Sequence, residues 1–306
     1  MTTLLGRVFV VVAALSMMAP KASAQTVSTE PEKGFTEVES FQGELNSLEK
    51  TMKLDSNIGY DFNKHFGAFI GVPIYFTNIS STTTATGTTT NSQTVNGIGN
   101  LYLGFALRAP NPTLNYVSTV TLGAPTGDTK KGLSTGRGTV DWLNHFDRSF
   151  DRFTPYFDAG FGNTVPDTKL LTRSFISLGG ASHLEEGAEF QLVHHFSVGG
   201  AGYEVFPFGN QKVFSKVSAK GSGTGAPAPA TTAGKRNHGV FQTQFQTSGT
   251  GLTRENGVNT WLALESSSHL WRAEIGFSRS VTFDFNSFAF NLGLNVGKIL
   301  RSKNSN

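Results

Sequence analysis

The sequence predicts an all-β fold, a transmembrane antiparallel up-and-down β-barrel of fourteen strands, with twelve as the alternative. Three observations predict it. Apolar residues recur with a period of two in many segments, and the opposite face of those segments is mostly Gly, Asn, Ser and Thr with isolated charges. Beyond the first 24 residues no run approaches the roughly 18 apolar residues of a membrane-spanning helix. The 306 residues include 35 Gly and 26 Phe, yet only 15 % are charged, where a soluble domain usually carries about a quarter.

The elements follow in order. Arg7 supplies a short positive region, Val8 to Ala19 is apolar, and Ala22-Ser23-Ala24 is the small-x-small pattern of a signal-peptidase site. Residues 1–24 are therefore expected to be a signal peptide, cut after Ala24, and the lack of Cys rules out a lipid anchor at that cut. Residues 25–36, with two Glu, a Pro and a Lys, are expected to form a disordered leader. The barrel itself is expected over residues 37–299, followed by a tail at 300–306.

Leu54, Ile58, Tyr60 and Phe62 alternate with Lys53, Asp55, Asn57, Gly59 and Asp61. Trp271, Ala273, Ile275 and Phe277 alternate with Arg272, Glu274 and Gly276, and Phe288, Phe290, Leu292, Leu294 and Val296 with Ala289, Asn291, Gly293, Asn295 and Gly297. A sandwich would meet bulk water with a face dense in Lys and Glu, so this sparse polar face fits a lumen better. Met52 to Asn63, Phe66 to Phe76, Gly97 to Ala109, Leu114 to Ala124, Phe153 to Asn163 and Trp271 to Arg279 match the roughly 9 to 11 residues of a membrane strand. Closing such strands into a ring satisfies every backbone group in lipid.

Short links at 63–65, 109–113, 149–152, 184–187, 207–211 and 266–269 alternate with generally longer ones at 77–96, 125–136, 164–171 and 219–257. Tight periplasmic turns and long outer loops produce that alternation. From Glu37 to Lys298 the count is fourteen with both termini periplasmic, or twelve without Glu37 to Asn46 and Gln211 to Ser218. Ser80 to Thr94 is mostly Thr, and Ala219 to Lys235 mixes Gly, Ala, Pro and Thr. Neither buries enough apolar surface to offset its ordering entropy, so both are expected to be mobile outer loops. No constant-period repeat and no second domain is visible.

At this point four runs carry a resemblance: LDSNIGYDFNKHFGAFIGVPIYF (Leu54 to Phe76), GIGNLYLGF (Gly97 to Phe105), VTLGAPTGDTKKGLSTG (Val120 to Gly136) and SRSVTFDFNSFAFNLGLNVG (Ser278 to Gly297). The chain resembles the outer-membrane β-barrel transporter family known as the meta-pathway of phenol degradation proteins. The most specific parts are the Pro-Thr-Gly-Asp loop with the following Gly-Leu-Ser-Thr-Gly, and the GVPIY strand end. The resemblance implies a barrel that passes small, often aromatic, molecules. The chain departs from the usual C-terminal assembly signal by ending in RSKNSN rather than on an aromatic residue.

Zero Cys excludes a disulfide scaffold, a structural zinc site and a thiolate enzyme. The net charge of +3 implies no nucleic-acid partner. Gly132-Leu133-Ser134-Thr135-Gly136 matches the G-x-S-x-G nucleophile elbow, but that elbow needs a buried strand before it and a helix after it. A Lys-Lys turn precedes it here and a strand follows, so an outer loop is expected and no enzyme. His194 and His195, read as neighbours on one strand, would face opposite ways and could not share a metal; no metal or cofactor is implied. Pro73 cannot donate to a ladder, so a break or bulge is expected beside it and Tyr75.

By strand parity Lys53, Asp55, Asp61, Asp141, Asp158, Glu189, Arg272 and Glu274 line the lumen, where polar side chains decide what passes. The plainer alternative is that they pair across strands and keep the barrel from collapsing. The leading function is an outer-membrane channel or transporter for small solutes, hydrophobic or aromatic ones included, by passive passage. The alternative is a structural or adhesive barrel with exposed Thr-rich and Ala/Pro-rich loops, and a barrel enzyme stands third. The expected partners are membrane lipid and lipopolysaccharide, the barrel-assembly machinery and a small-molecule solute.

Overall fold

Alternating apolar and polar residues can satisfy both hydrocarbon and a wet interior only if the strands close on themselves, and they do. The structure is a computed structural model that describes residues 33–45, 49–79, 82–83, 89–90, 93–111, 113–170, 175–215, 246–248, 254–267, 270–282 and 285–296. The expected signal peptide, most of the leader, much of Ser80 to Thr94, all of Ala219 to Lys235 and the tail lie outside the described residues.

The wall strands are β1 (Gly34–Leu45), β2 (Glu49–Asp61), β3 (Phe66–Ile79), β4 (Gln93–Ile98), β5 (Tyr102–Ala109), β6 (Asn115–Gly123) and β7 (Thr139–Asp147). They continue with β8 (Phe153–Gly162), β9 (Ala181–Val193), β10 (Phe196–Pro207), β11 (Glu255–Glu265), β12 (Trp271–Ser280) and β13 (Phe285–Asn295). Every strand but β4 belongs to one antiparallel ring of twelve, closed where β1 pairs with both β2 and β13. β4 continues the line of β5: it pairs with Ile74–Ile79 of β3, while β5 pairs with Phe66–Gly71. The barrel thus has twelve strands, not fourteen. Of the expected strand from Glu37 to Asn46, the described residues 37–45 contribute to the wall as part of β1, whereas Gln211–Ser215 leaves it and pairs with Phe175–Leu178 and Gln246–Ser248 in a separate three-stranded sheet.

The apolar face points outward. Ile58, Ile70, Phe105, Trp142, Phe161, Ile275 and Phe288 are 47–66 % exposed, while Trp261, Ala263 and Ala289 on the inner face are 2–5 % exposed. This inverts a water-soluble sheet protein and suits a hydrocarbon surround. Glycines on the inner face make room for rings lying across neighbouring strands. A Cβ on Gly199 would come within 2.2 Å of the Trp261 indole, and one on Gly71 within 2.3 Å of the Tyr102 hydroxyl.

Two of the expected short links are corrected. Residues 184–187 are not a turn but lie inside β9, because Glu185 is satisfied within the lumen: its carboxylate accepts from the Tyr156 hydroxyl at 2.8 Å. The turn falls instead at His194 and His195, which join β9 to β10. The two rings meet edge to face there, 6.2 Å apart, so the strand-face argument does not apply to them. Residues 207–211 sit at the long-loop end rather than among the short turns; Gln211 is 1 % exposed and its amide donates to the Gly180 and Phe208 carbonyls at 2.8 and 2.9 Å.

The expected break beside Pro73 is present. Gly99 to Leu101 interrupts the line of β4 and β5 there, with Gly99 N–H donating to the Pro73 carbonyl at 2.8 Å. The gap is filled rather than open. Leu101 N–H donates to the Thr126 hydroxyl at 2.7 Å, Ala124 N–H to the Leu101 carbonyl at 2.7 Å, and Gly127 N–H to the Asn100 side chain at 3.2 Å. The Pro-Thr-Gly-Asp loop is therefore stitched into the wall at the place where proline leaves the ladder incomplete.

Candidate functional site

Alternate residues on a strand share one face, so a charge at i and another at i+2 stand one above the other on the inner wall. Arg272 and Glu274 of β12 do so, their guanidinium and carboxylate 2.7 Å apart. Arg272 also reaches across to Glu189 of β9 at 2.5 Å and to Glu265 of β11 at 3.4 Å. Glu189 accepts further bonds from the Trp261 indole at 3.1 Å and the Ser197 hydroxyl at 2.8 Å. One guanidinium thus organises three carboxylates on three strands.

A second group lies on β7, β8 and β9. His145 stands between Asp158 at 2.5 Å and Asp147 at 3.3 Å, and His183 contacts Asp141 at 3.0 Å. On β2, Lys53 lies 3.4 Å from Asp55, whose carboxylate accepts from the Tyr102 hydroxyl at 2.6 Å. Asp61 stands apart, near the short-turn end, paired with Arg108 at 2.7 Å.

The loop after β8 connects these groups. The expectation for residues 164–171 was an outer loop, but the described part turns into the barrel. Val165 packs against Ala181 and Val205, and its N–H donates to the Ser177 hydroxyl at 2.8 Å. Asp167 then meets Lys53 at 3.1 Å, a contact across 114 residues of sequence. Leu170 is 5 % exposed in a cluster with Ala201, Trp261, Ala263 and Ala289. Trp261 lies six residues along β11 from Glu255 at the long-loop end, on the order of 20 Å down the strand. The loop reaches that far because Val165 and Leu170 are apolar residues in a link, and both are buried against apolar residues of the inner wall.

Two interior cavities border the loop, with Pro166 and Asp167 lining both. The larger, about 560 Å³, is lined by Asp141, Asp158, Glu189 and Arg272 among the residues expected from the sequence. Lys53, Asp55 and again Asp141 line the smaller, about 230 Å³. Glu274, 4 % exposed at its side chain, lies behind Arg272 and 3.8 Å from Lys169. His145 and Tyr156 share the lumen-facing parity of Asp141 and Asp158, and a search confined to scattered charges passes over them; His183, Glu185 and Trp261 are brought to the lumen by the tertiary structure. Asp167 and Lys169 carry no periodic signal, being in a link.

Ser134, in the G-x-S-x-G match, lies in the folded loop between β6 and β7. Thr129–Lys131 forms a single helical turn capped by Asp128, and Gly132 and Gly136 take φ of 67° and 68°, open to glycine. The Ser134 hydroxyl is buried and accepts from Gly136 N–H at 3.1 Å, and the chain proceeds into strand β7. The strand-to-helix setting of a nucleophile elbow is not what surrounds it.

The fold is that of a twelve-stranded outer-membrane β-barrel. No family model matches the sequence, and no curated protein matches it. Among solved structures, the chain is similar to an outer membrane channel from Pseudomonas putida F1, with 13 % identity and a TM-score of 0.53 over 89 % of this chain and 98 % of that one. More distant likenesses are the CymD monoaromatic hydrocarbon channel, at 6 % identity and a TM-score of 0.41 over 87 % and 89 % of the two chains, and the NanC porin, at 6 % and 0.41 over 85 % and 98 %.

Proposed function

We propose that the protein is a passive outer-membrane channel for small solutes, hydrophobic and aromatic ones among them, which cross through the lumen of the ring. The observation that carries this reading is a closed wall, apolar outside, around an interior lined by charges, Tyr and Trp with a cavity of about 560 Å³. Polar and aromatic linings of this kind sort solutes by size and hydrogen bonding as they pass. Export by residues 1–24, insertion by the barrel-assembly machinery, and a final surround of lipid and lipopolysaccharide belong to the same reading.

A second reading is favoured by the inward loop, which fills part of the lumen: a structural or adhesive barrel whose interior is only a core. Recordings of purified protein in planar bilayers, with and without small aromatics, separate the two. Channel steps and admission of neutral aromatics into liposomes are expected. A protein that is heat-modifiable in detergent, yet silent in bilayers and closed to those aromatics, would transfer the conclusion to the structural reading.

A further inference from the structure

Lys169, at the lower end of the inward loop, is held in an unusual way. Its ammonium lies 4.0 Å from the centroid of the Trp261 ring and 5.5 Å from that of Tyr156. The nearest carboxylates among the described residues are Glu274 at 3.8 Å and Glu189 at 4.0 Å. Both are engaged more closely by Arg272, at 2.7 and 2.5 Å. The ammonium is therefore held by two aromatic faces and a diffuse negative field, not by a short charge-assisted hydrogen bond. That chemistry suits a cation with no N–H to donate, since ring quadrupoles attract charge without asking for a proton.

The surroundings add to this. The larger cavity opens beside Lys169, and its lining carries Asp141, Asp147, Asp158, Asp167, Glu185 and Glu189 against Lys169 and Arg272, with His145 and His183 paired to three of the aspartates. A positively charged solute entering it meets an acidic excess even while Lys169 is in place. Tyr156 is itself fixed by its bond to Glu185, and Glu185 accepts from the Lys169 backbone N–H at 3.4 Å, so the ring and the loop are positioned together.

We propose that Trp261, Tyr156, Glu189 and Glu274 form a binding site for small organic ammonium ions, which Lys169 occupies as a tethered stand-in. A solute of that class competes with Lys169 for the site and releases the loop from it. The inference rests on the channel reading, of which it names the substrate class, but binding can be read apart from conduction.

The test uses the full chain with Trp142→Phe and Trp271→Phe, two positions on the outer face, so that Trp261 is the remaining indole reporter. Tetramethylammonium chloride is titrated against sodium chloride at matched ionic strength in a maltoside detergent, which carries no ammonium of its own. A saturable change in Trp261 emission is expected. A short tether presents its group at millimolar effective concentration, so Lys169→Met should lower the half-saturating concentration by about tenfold. Adding Glu274→Gln should raise it again. Heat-modifiability confirms folding of each variant, and Lys169→Gln repeats the measurement with a polar replacement.

No saturable response in folded Lys169→Met and Lys169→Gln overturns the site, as does an equal response to tert-butanol, a neutral probe of similar size. Either result beside intact conductance removes this inference and leaves the channel. Saturable binding by a protein silent in bilayers removes the channel and leaves the site.

Discussion

Arg272 shows what a single side chain does inside this barrel. Without it Glu189 and Glu274, 22 and 4 % exposed at their side chains, would be offset only by the Lys169 ammonium, 4.0 and 3.8 Å away. Removing one partner of a buried ion pair costs about 3–5 kcal/mol; with Arg272 itself 31 % exposed and Lys169 nearby, Arg272→Met should cost about 2 kcal/mol after solvent screening. The thermal midpoint of the heat-modifiable form should fall clearly for Arg272→Met and hardly at all for Glu265→Gln, whose contact is 3.4 Å long and about one-third exposed. The two faces of a strand can be tested residue against residue as well. Ile275 is 63 % exposed in mid-strand, and an arginine there would meet hydrocarbon at a cost of about 2–4 kcal/mol. Asn291, bonded to Ser40 at 3.1 Å and to Glu274 at 3.5 Å, is on the inner face. Assembly assayed by gel shift should suffer with Ile275→Arg and survive with Asn291→Arg; equal loss would show the faces wrongly assigned.

Two links decide how open the barrel is. The loop after β8 has its own apolar anchors, Val165 and Leu170, and its own ion pair, Asp167 with Lys53. None of the loop's own residues among these contributes to the ring's ladder, so replacing residues 165–170 with Gly and Ser should leave assembly intact. Single-channel conductance should rise severalfold as the two cavities merge, and an unchanged conductance would mean that the current takes another route. The loop at Thr126 works in the opposite sense, completing a wall that Pro73 interrupts. Thr126→Val removes the acceptor of Leu101 N–H and should cost about 1 kcal/mol. Limited proteolysis near Gly99 to Leu101 should report the loosened segment, with Thr126→Ser behaving as wild type.

Over the whole molecule, charge is arranged by side rather than by total. The chain carries a formal net charge of +3, yet the larger cavity is acidic. Each charge in a narrow, low-dielectric pore shifts the barrier to an ion more than it would in water. Replacing Asp158 and Glu189 together by Asn and Gln removes two negative charges at nearly constant volume. Reversal potentials under a salt gradient should then show a weaker cation preference, with assembly unchanged; a preference that stays constant would place the selective step elsewhere.

Much of this was legible in one dimension. Which face each residue of β2, β7, β8, β12 and β13 presents follows from a period of two, and that period is a property of neighbouring residues alone. Phe288 outward and Ala289 inward, Ile58 outward and Asp55 inward, follow from it directly, as does a flaw in the ladder at Pro73. The tertiary structure decided what depends on distant partners. Glu185 looks like a turn residue until Tyr156, 29 positions away, and the Lys169 backbone satisfy it inside a strand. Ring closure needs β1 against β13, with Ser40 bonded to Asn291 across 251 positions, and it is this pairing that sets the number of strands at twelve. The inward course of residues 163–170 depends on the same kind of contact: a link has no period to read, and its path is set by the pocket between Lys53 and Trp261, which exists only once the ring has closed.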